Sequence, residues 1–286
     1  MKERSPELQL ADSPATVSTL ASKSISLWGF AWGALIGTLG GLIGLGGGEF
    51  RMPVLLSFFG LRPMHAVILN LMTSCVTVTF SLLFRTGLGS LQRLTPYVPI
   101  VLNLLCGTLA GSFVGSHIAA KTREGTLVRV IAVCLIILSF ALIGHDFIFQ
   151  IETGGMPLAL QFGLGIAAGF VIGLFSSILG VAGGELIIPT LILLFGVEIK
   201  LAGSLSLSVS LPTLLLGLVR YSRFPQFAET KRHLPLFLWL AMGSIAGALT
   251  GSLLLQHVSG FILTILLGVI LLISAVRLLI HKPASG

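Results

Sequence analysis

Two glutamates and one arginine, Glu49, Arg51 and Glu185, stand beside runs of glycine inside long apolar stretches. The first run reads Gly44-Leu45-Gly46-Gly47-Gly48-Glu49-Phe50-Arg51-Met52-Pro53, with four glycines in the first five positions. Glycine costs about 1 kcal/mol per helical position relative to alanine and proline about 3, so a helix is expected to unwind here. Proline suits the first helical turn, so Pro53 is expected to open a new short helix and leave 46–52 extended. Gly180 to Pro189 carries the same pattern, with Gly183, Gly184 and Glu185 at its centre. Free N–H groups at a helix start carry the positive end of its dipole, and glycine lets a ligand approach the backbone. Gly46, Gly47 and Gly48, with Gly183 and Gly184, therefore form an expected anion site.

An ionised side chain at membrane depth costs roughly 2.5 to 3.5 kcal/mol even on lenient scales, so Glu49 and Glu185 need a reason to be there. Two readings stay open: each carries a coupling proton, or each caps the short helix behind it. Arg51 has no basic counterpart in the second run, where Ile187 stands. It either pairs with Glu49 or lends its charge to a ligand. Downstream, Asn70, Ser74, Thr77 and Ser81 recur at helical spacing, as do Ser206, Ser210 and Thr213. Asn70, Ser74, Ser206 and Ser210 are expected to complete the site, with helix-to-helix hydrogen bonding as the plainer use of such residues.

Most other suggestive residues have structural explanations. Glycines four apart, as in Gly29, Gly33, Gly37 and Gly41 or Gly107, Gly111 and Gly115, are ridges that let membrane helices touch. Three adjacent glycines point three ways around a helix, so a packing face does not account for Gly46 to Gly48. Cys75, Cys106 and Cys134 lie in apolar stretches without metal-ligand spacing. The six histidines are read as interfacial, and no metal or cofactor is expected.

The elements that must hold these residues are membrane helices. The 286 residues are 55% hydrophobic and 9% charged, with a mean hydropathy of +1.04, whereas a soluble domain carries about 25% charged residues. Stretches of about 20 apolar residues recur between short charged loops. Residues 1–24 have no apolar run and are expected to form a disordered cytoplasmic tail. An offset of 136 superposes the sequence on itself: Gly37, Gly44, Gly47, Gly48, Glu49, Pro53 and Gly60 fall on Gly173, Gly180, Gly183, Gly184, Glu185, Pro189 and Gly196. The register persists to Gly107, Gly111 and Gly115, which fall on Gly243, Gly247 and Gly251. Each unit contains five helical segments, near 27–45, 53–59, 63–84, 96–119 and 127–144 in the first. The second of these is too short to span.

With the N-terminus inside, thirteen of the seventeen Lys and Arg fall in inside loops, while Arg85, Arg93 and Lys200 lie outside. An odd number of segments per unit inverts the second. The expected fold is an all-α membrane protein of two inverted-topology repeats with 8 to 10 transmembrane or re-entrant segments. Its parts are a first repeat at 25–146, an extracytoplasmic connection at 147–157 and a second repeat at 158–286. Both termini are expected to be cytoplasmic, in a cell inner (plasma) membrane. Broken helices meeting near the midplane are the usual site of secondary transporters built this way. The rival reading is an anion-selective or water channel. The net charge of +7 is scattered over loops and points to no nucleic acid.

The duplicated G-x-G-G-G-x-x-x-x-P followed by a small-residue-rich helix resembles the sulfite exporter TauE/SafE family of permeases, over nearly the whole chain beyond the tail. The second copy, Gly180-Val181-Ala182-Gly183-Gly184-Glu185-Leu186-Ile187-Ile188-Pro189, is degraded. The resemblance implies a transporter, not an enzyme, that exports or imports sulfite, sulfonates or related organic anions. Many members carry apolar residues where Glu49 and Arg51 stand, so this chain resembles an acid-and-arginine branch whose substrate is not assumed to be sulfite. The partners expected are a small anion, protons, the lipid bilayer and a second copy of the chain in a homodimer.

Overall fold

Apolar runs with few breakers form helices wherever lipid leaves the backbone no partner but itself, and every long run described is helical. The computed structural model describes residues 14–87, 94–119, 136, 157–179 and 181–280. Helix α1 spans Pro14–Ile43, and the short α2 spans Gly48–Pro53, followed by a π turn at Val54–Phe58. Helices α3 (Pro63–Thr86) and α4 (Val98–Ala119) complete the described first half. The second half holds α5 (Leu158–Leu179), α6 (Gly184–Phe195), α7 (Ile199–Tyr221), the short α8 (Pro225–Glu229), α9 (Leu234–Leu254) and α10 (Gly260–Ile280). Among the described residues, six helical stretches are long and apolar enough to cross a membrane. The expected segment at 127–144 lies outside the described residues except Ile136. Helix α1 begins at Pro14, so residues 14–24, which the sequence reading placed in the tail, are helical. Between Ala15 and Ser24 no glycine or proline stops a helix running back from the apolar span, and Pro14 suits its first turn.

Glycine ridges decide which helices touch. Gly33, Gly37 and Gly41 of α1 lie against the backbone of Leu240, Ser244 and Ala248 on α9. A Cβ on Gly37 would stand 2.6 Å from the Ser244 carbonyl oxygen. Under the 136 offset the same contact recurs in the other half, where Gly169 and Gly173 of α5 lie on Leu104 and Thr108 of α4. Gly107, Gly111 and Gly115 pack back on α5 as Gly243, Gly247 and Gly251 pack back on α1. Each half thus lends one helix to the other. Helices α1, α2, α3 and α9 form one group, and α5, α6, α7 and α4 form its counterpart.

The groups meet chiefly along α3 and α7. Arg85 at the end of α3 reaches Ser204 near the start of α7, while Leu71 near the start of α3 touches Gly217 near the end of α7. These two equivalent helices therefore run antiparallel. Beside them a buried apolar cluster joins Ile43 and Leu45 to Ile187, Ile188 and Leu191 of α6, and to Leu263, Leu267 and Leu271 of α10.

Candidate functional site

Both glycine breaks are followed at once by helix. The first helical hydrogen bond of α2 runs from Arg51 N–H to Gly47 O at 3.2 Å, and that of α6 from Ile187 N–H to Gly183 O at 3.1 Å. The expectation that Pro53 opens the short helix is therefore corrected: the helix opens at Gly48, and Pro53 and Pro189 lie inside α2 and α6. Gly47 and Gly183 take φ of 71° and 72°, which L side chains rarely adopt, and so turn the chain sharply enough to restart a helix earlier. A Cβ at Gly47 would also stand 2.5 Å from Ile36 Cγ2. Pro53, without an N–H, offers nothing to the Glu49 carbonyl one turn back, and the next turn widens to a π bond from Phe59 N–H to Val54 O. Glu49 and Arg51 thus project from a helix two positions apart, on different sides.

The two breaks touch. Gly46 lies beside Ala182, Gly48 beside Val181, and Gly184 against the Leu45 backbone. Neither N-cap residue has a side chain to close the helix start.

Arg51 is fully buried at 0% exposure. Its Nη1 donates to Ser74 Oγ at 3.0 Å and to Asn70 Oδ1 at 3.4 Å. Its Nη2 donates to Thr77 Oγ1 at 3.0 Å and to Ser244 Oγ at 3.5 Å. The four terminal N–H groups are therefore all directed at neutral oxygens, and only Nε lacks a partner. Asn70 uses both ends of its amide, accepting from Arg51 and donating to Gly48 O at 3.1 Å, which ties guanidinium and break together. Thr77 donates to Thr73 O at 2.9 Å and so presents a lone pair to the cation.

No salt bridge joins Arg51 to Glu49. Both Glu49 carboxyl oxygens are buried and make no side-chain hydrogen bond of regular geometry, while its own backbone N–H and the Arg51 charge both act on the carboxyl. Glu185 is buried in the first turn of α6.

The other half shows what this arrangement becomes without a cation. Ile187 takes the place of Arg51, and the hydroxyls of Thr213 and Thr108, the offset equivalents of Thr77 and Ser244, face each other at 3.2 Å. Ser210 donates to Ala182 O at 3.1 Å, and the buried Ser206 Oγ has no partner. A pair of hydroxyls that close on one another in one half is spread around a guanidinium in the other.

The sulfite exporter TauE/SafE family matches residues 8–142 and 164–286, nearly the whole sequence. The chain belongs to that family. It is also similar to the "probable membrane transporter protein YunE" of Bacillus subtilis (strain 168), 26% identical over 209 residues, covering 66% of this chain and 75% of that protein. No solved structure matches it.

Among the residues of this TauE/SafE protein singled out by sequence, Gly46, Gly48, Arg51, Asn70 and Ser74 come together in one half, and Gly184 meets the first break. Ser210 reaches its own break, whereas Ser206 does not bond to anything described. Thr77, recognised as part of the stripe but not placed in the site, is an Arg51 partner, and Ser244 was missed altogether. The available signal for Ser244 was its register: it falls on Thr108 under the offset, so a hydroxyl stands at this point of a glycine-ridged helix in both halves. Elsewhere, His65 is buried, 3.3 Å from the Glu229 carboxylate and 5.7 Å between ring centres from His233.

Proposed function

We propose that this membrane transporter is a secondary carrier that moves a small anion, of the sulfite, sulfonate or related organic type, by alternating access between two inverted repeats. The observation that carries the reading is the meeting of the two breaks at Gly46, Gly48, Val181, Ala182 and Gly184, with a buried arginine bonded only to neutral groups beside them. Uncapped helix starts and a guanidinium whose hydrogen bonds all go to neutral groups both favour negative charge. The antiparallel course of α3 and α7 agrees with inversion, and the exchanged helices α4 and α9 supply two like groups able to rock about a central site. Glu49, whose buried oxygens make no side-chain hydrogen bond of regular geometry, is the preferred carrier of a coupling proton, and Glu185 is the second. The name of the Bacillus relative supports transport and is silent on substrate.

Flux into proteoliposomes tests the reading with a panel of sulfite, sulfonates and small carboxylates. Saturable, anion-dependent uptake that loses its response to a pH gradient in Glu49→Gln is expected. Absence of flux for every anion, or currents of single-channel size, would overturn carrier-type anion transport. Flux with an unchanged pH response in the Glu49→Gln, Glu185→Gln double variant would overturn the coupling.

A further inference from the structure

Arg85, counted among loop residues by the sequence, lies in the last turn of α3 with its guanidinium in the crevice between α3 and α7. Nε donates to Ser204 Oγ at 3.1 Å and Nη2 to Lys200 O at 2.6 Å, both on α7. Nη1 donates to Gly41 O at 3.1 Å and Leu42 O at 3.3 Å, in the last turn of α1. Gly203 leaves room for the planar group, since a Cβ there would stand 2.6 Å from Nη2. A cation at a helix C-terminus accounts for the two bonds to α1. It does not account for the two to α7, which belongs to the other four-helix group. Arg85 therefore fastens the two groups together at this end of their contact.

At the opposite end the offset places Tyr221 where Arg85 would stand. The equivalent crevice is a cleft lined by Ser112, Ser176, Thr213, Gly217 and Tyr221, and it reaches Val181 at the second break. It retains a cavity of about 10 Å³, room for one water molecule. One end of the α3/α7 contact is thus filled by a guanidinium, and the other keeps a small cavity lined by Leu71, Val181 and Leu214 together with the hydroxyls.

We propose that Arg85 is the gate at one mouth of an anion path running between α3 and α7, and that the Tyr221 cleft is the same path's opposite mouth, where the neighbouring Arg220 is turned to Ser112 O at 3.0 Å and Phe113 O at 2.9 Å on α4. This rests on the carrier reading above. When the two groups part at the Arg85 end, its acceptors on α1 and α7 separate. The cation then loses two of its four neutral partners and turns to the entering anion, for which a planar guanidinium is a strong ligand. Under the positive-inside rule the Arg85 mouth faces outward and the hollow one faces the cytoplasm.

Cysteine accessibility tests this in the full-length protein in membranes, after Cys75, Cys106 and Cys134 are replaced by alanine. Ser81, one turn before Arg85, and Gly217, its offset equivalent, are changed singly to cysteine and exposed to the small anionic thiol reagent methanethiosulfonate ethylsulfonate. With Arg85 present, Gly217→Cys is expected to react and Ser81→Cys to be protected. Arg85→Gln should speed modification of Ser81→Cys about tenfold or more, since one hydrogen bond to a charged group suffices for such a factor, and leave the Gly217→Cys rate within about twofold. Arg85→Lys and Ser204→Ala make the same comparison with less disruption, each expected to give an intermediate rise. Protection of Ser81→Cys unchanged in all three variants, or Gly217→Cys as protected as Ser81→Cys, would overturn the gate. A general rise at both cysteines would do the same, because it marks loosening of the fold and not opening of one mouth. The reaction needs no transported substrate, so a failed gate and a failed flux assay are separable.

Discussion

Ser74 and Arg51 are expected to be energetically coupled, and the coupling can be sized from the geometry. Ser74 Oγ accepts from Arg51 Nη1 at 3.0 Å where both groups are at 0% exposure. A buried hydrogen bond to a charged group contributes roughly 1.5 to 3 kcal/mol, so Ser74→Ala should cost about 2 kcal/mol by leaving an N–H of the cation unmet. In an Arg51→Ile background no cation is left, and the Ser74 hydroxyl can bond back to the carbonyl one turn earlier. There, Ser74→Ala should cost only about 0.5 kcal/mol, a coupling of roughly 1.5 kcal/mol. Thermal unfolding of the four purified proteins in one detergent, followed by tryptophan fluorescence, reads this as a difference of roughly 3 to 6 °C for a chain of this size. Ser210→Ala is the control, since its hydroxyl bonds to Ala182 O and not to a cation. It should cost about 1 kcal/mol in either background. A Ser74 cost equal in both backgrounds would refute the reasoning, because the guanidinium would then not depend on its neutral shell.

Arg51→Ile gives the first half the residue found at 187. It should fold with stability within about 2 kcal/mol of the parent, because the lost bonds are offset by removal of a costly buried charge, yet lose anion flux in proteoliposomes. Gly37→Val should prevent recovery of monodisperse protein, since even a Cβ there meets Ser244 backbone atoms at 2.6 and 2.7 Å. Gly163→Ala, where nothing stands within 4 Å, should raise the melting temperature through helix propensity worth up to about 1 kcal/mol. Gly47→Ala, at φ 71° and 2.5 Å from Ile36 Cγ2, should destabilise by about 1 to 3 kcal/mol in the same melt.

The break, the repeat and the glycine ridges were legible because each rests on local chemistry. Glycine runs unwind helices, a fixed offset survives duplication, and small residues four apart make a face. The same local reasoning misplaced the start of the short helix. It weighed the preference of Pro53 for a first turn without the left-handed turn at Gly47, which lets the helix begin five residues sooner. Arg51 was visible as an oddity, but the neutral oxygens that surround it were not foreseen, because Glu49 and Arg51 are neighbours in sequence yet point apart on a helix.

From sequence alone, a membrane-embedded helical chain with two like halves, two paired glycine breaks and one unpaired arginine was determined, since hydropathy, backbone propensity and self-similarity are properties of the chain read in order. The tertiary structure decided what those features touch. Exchange of α4 and α9 between the halves brings Ser244 to an arginine 193 positions away, and the antiparallel crossing of α3 and α7 turns Arg85 from a loop charge into a half-buried clasp. Such contacts depend on which glycine ridge finds which backbone in three dimensions, and no spacing along the chain encodes that choice.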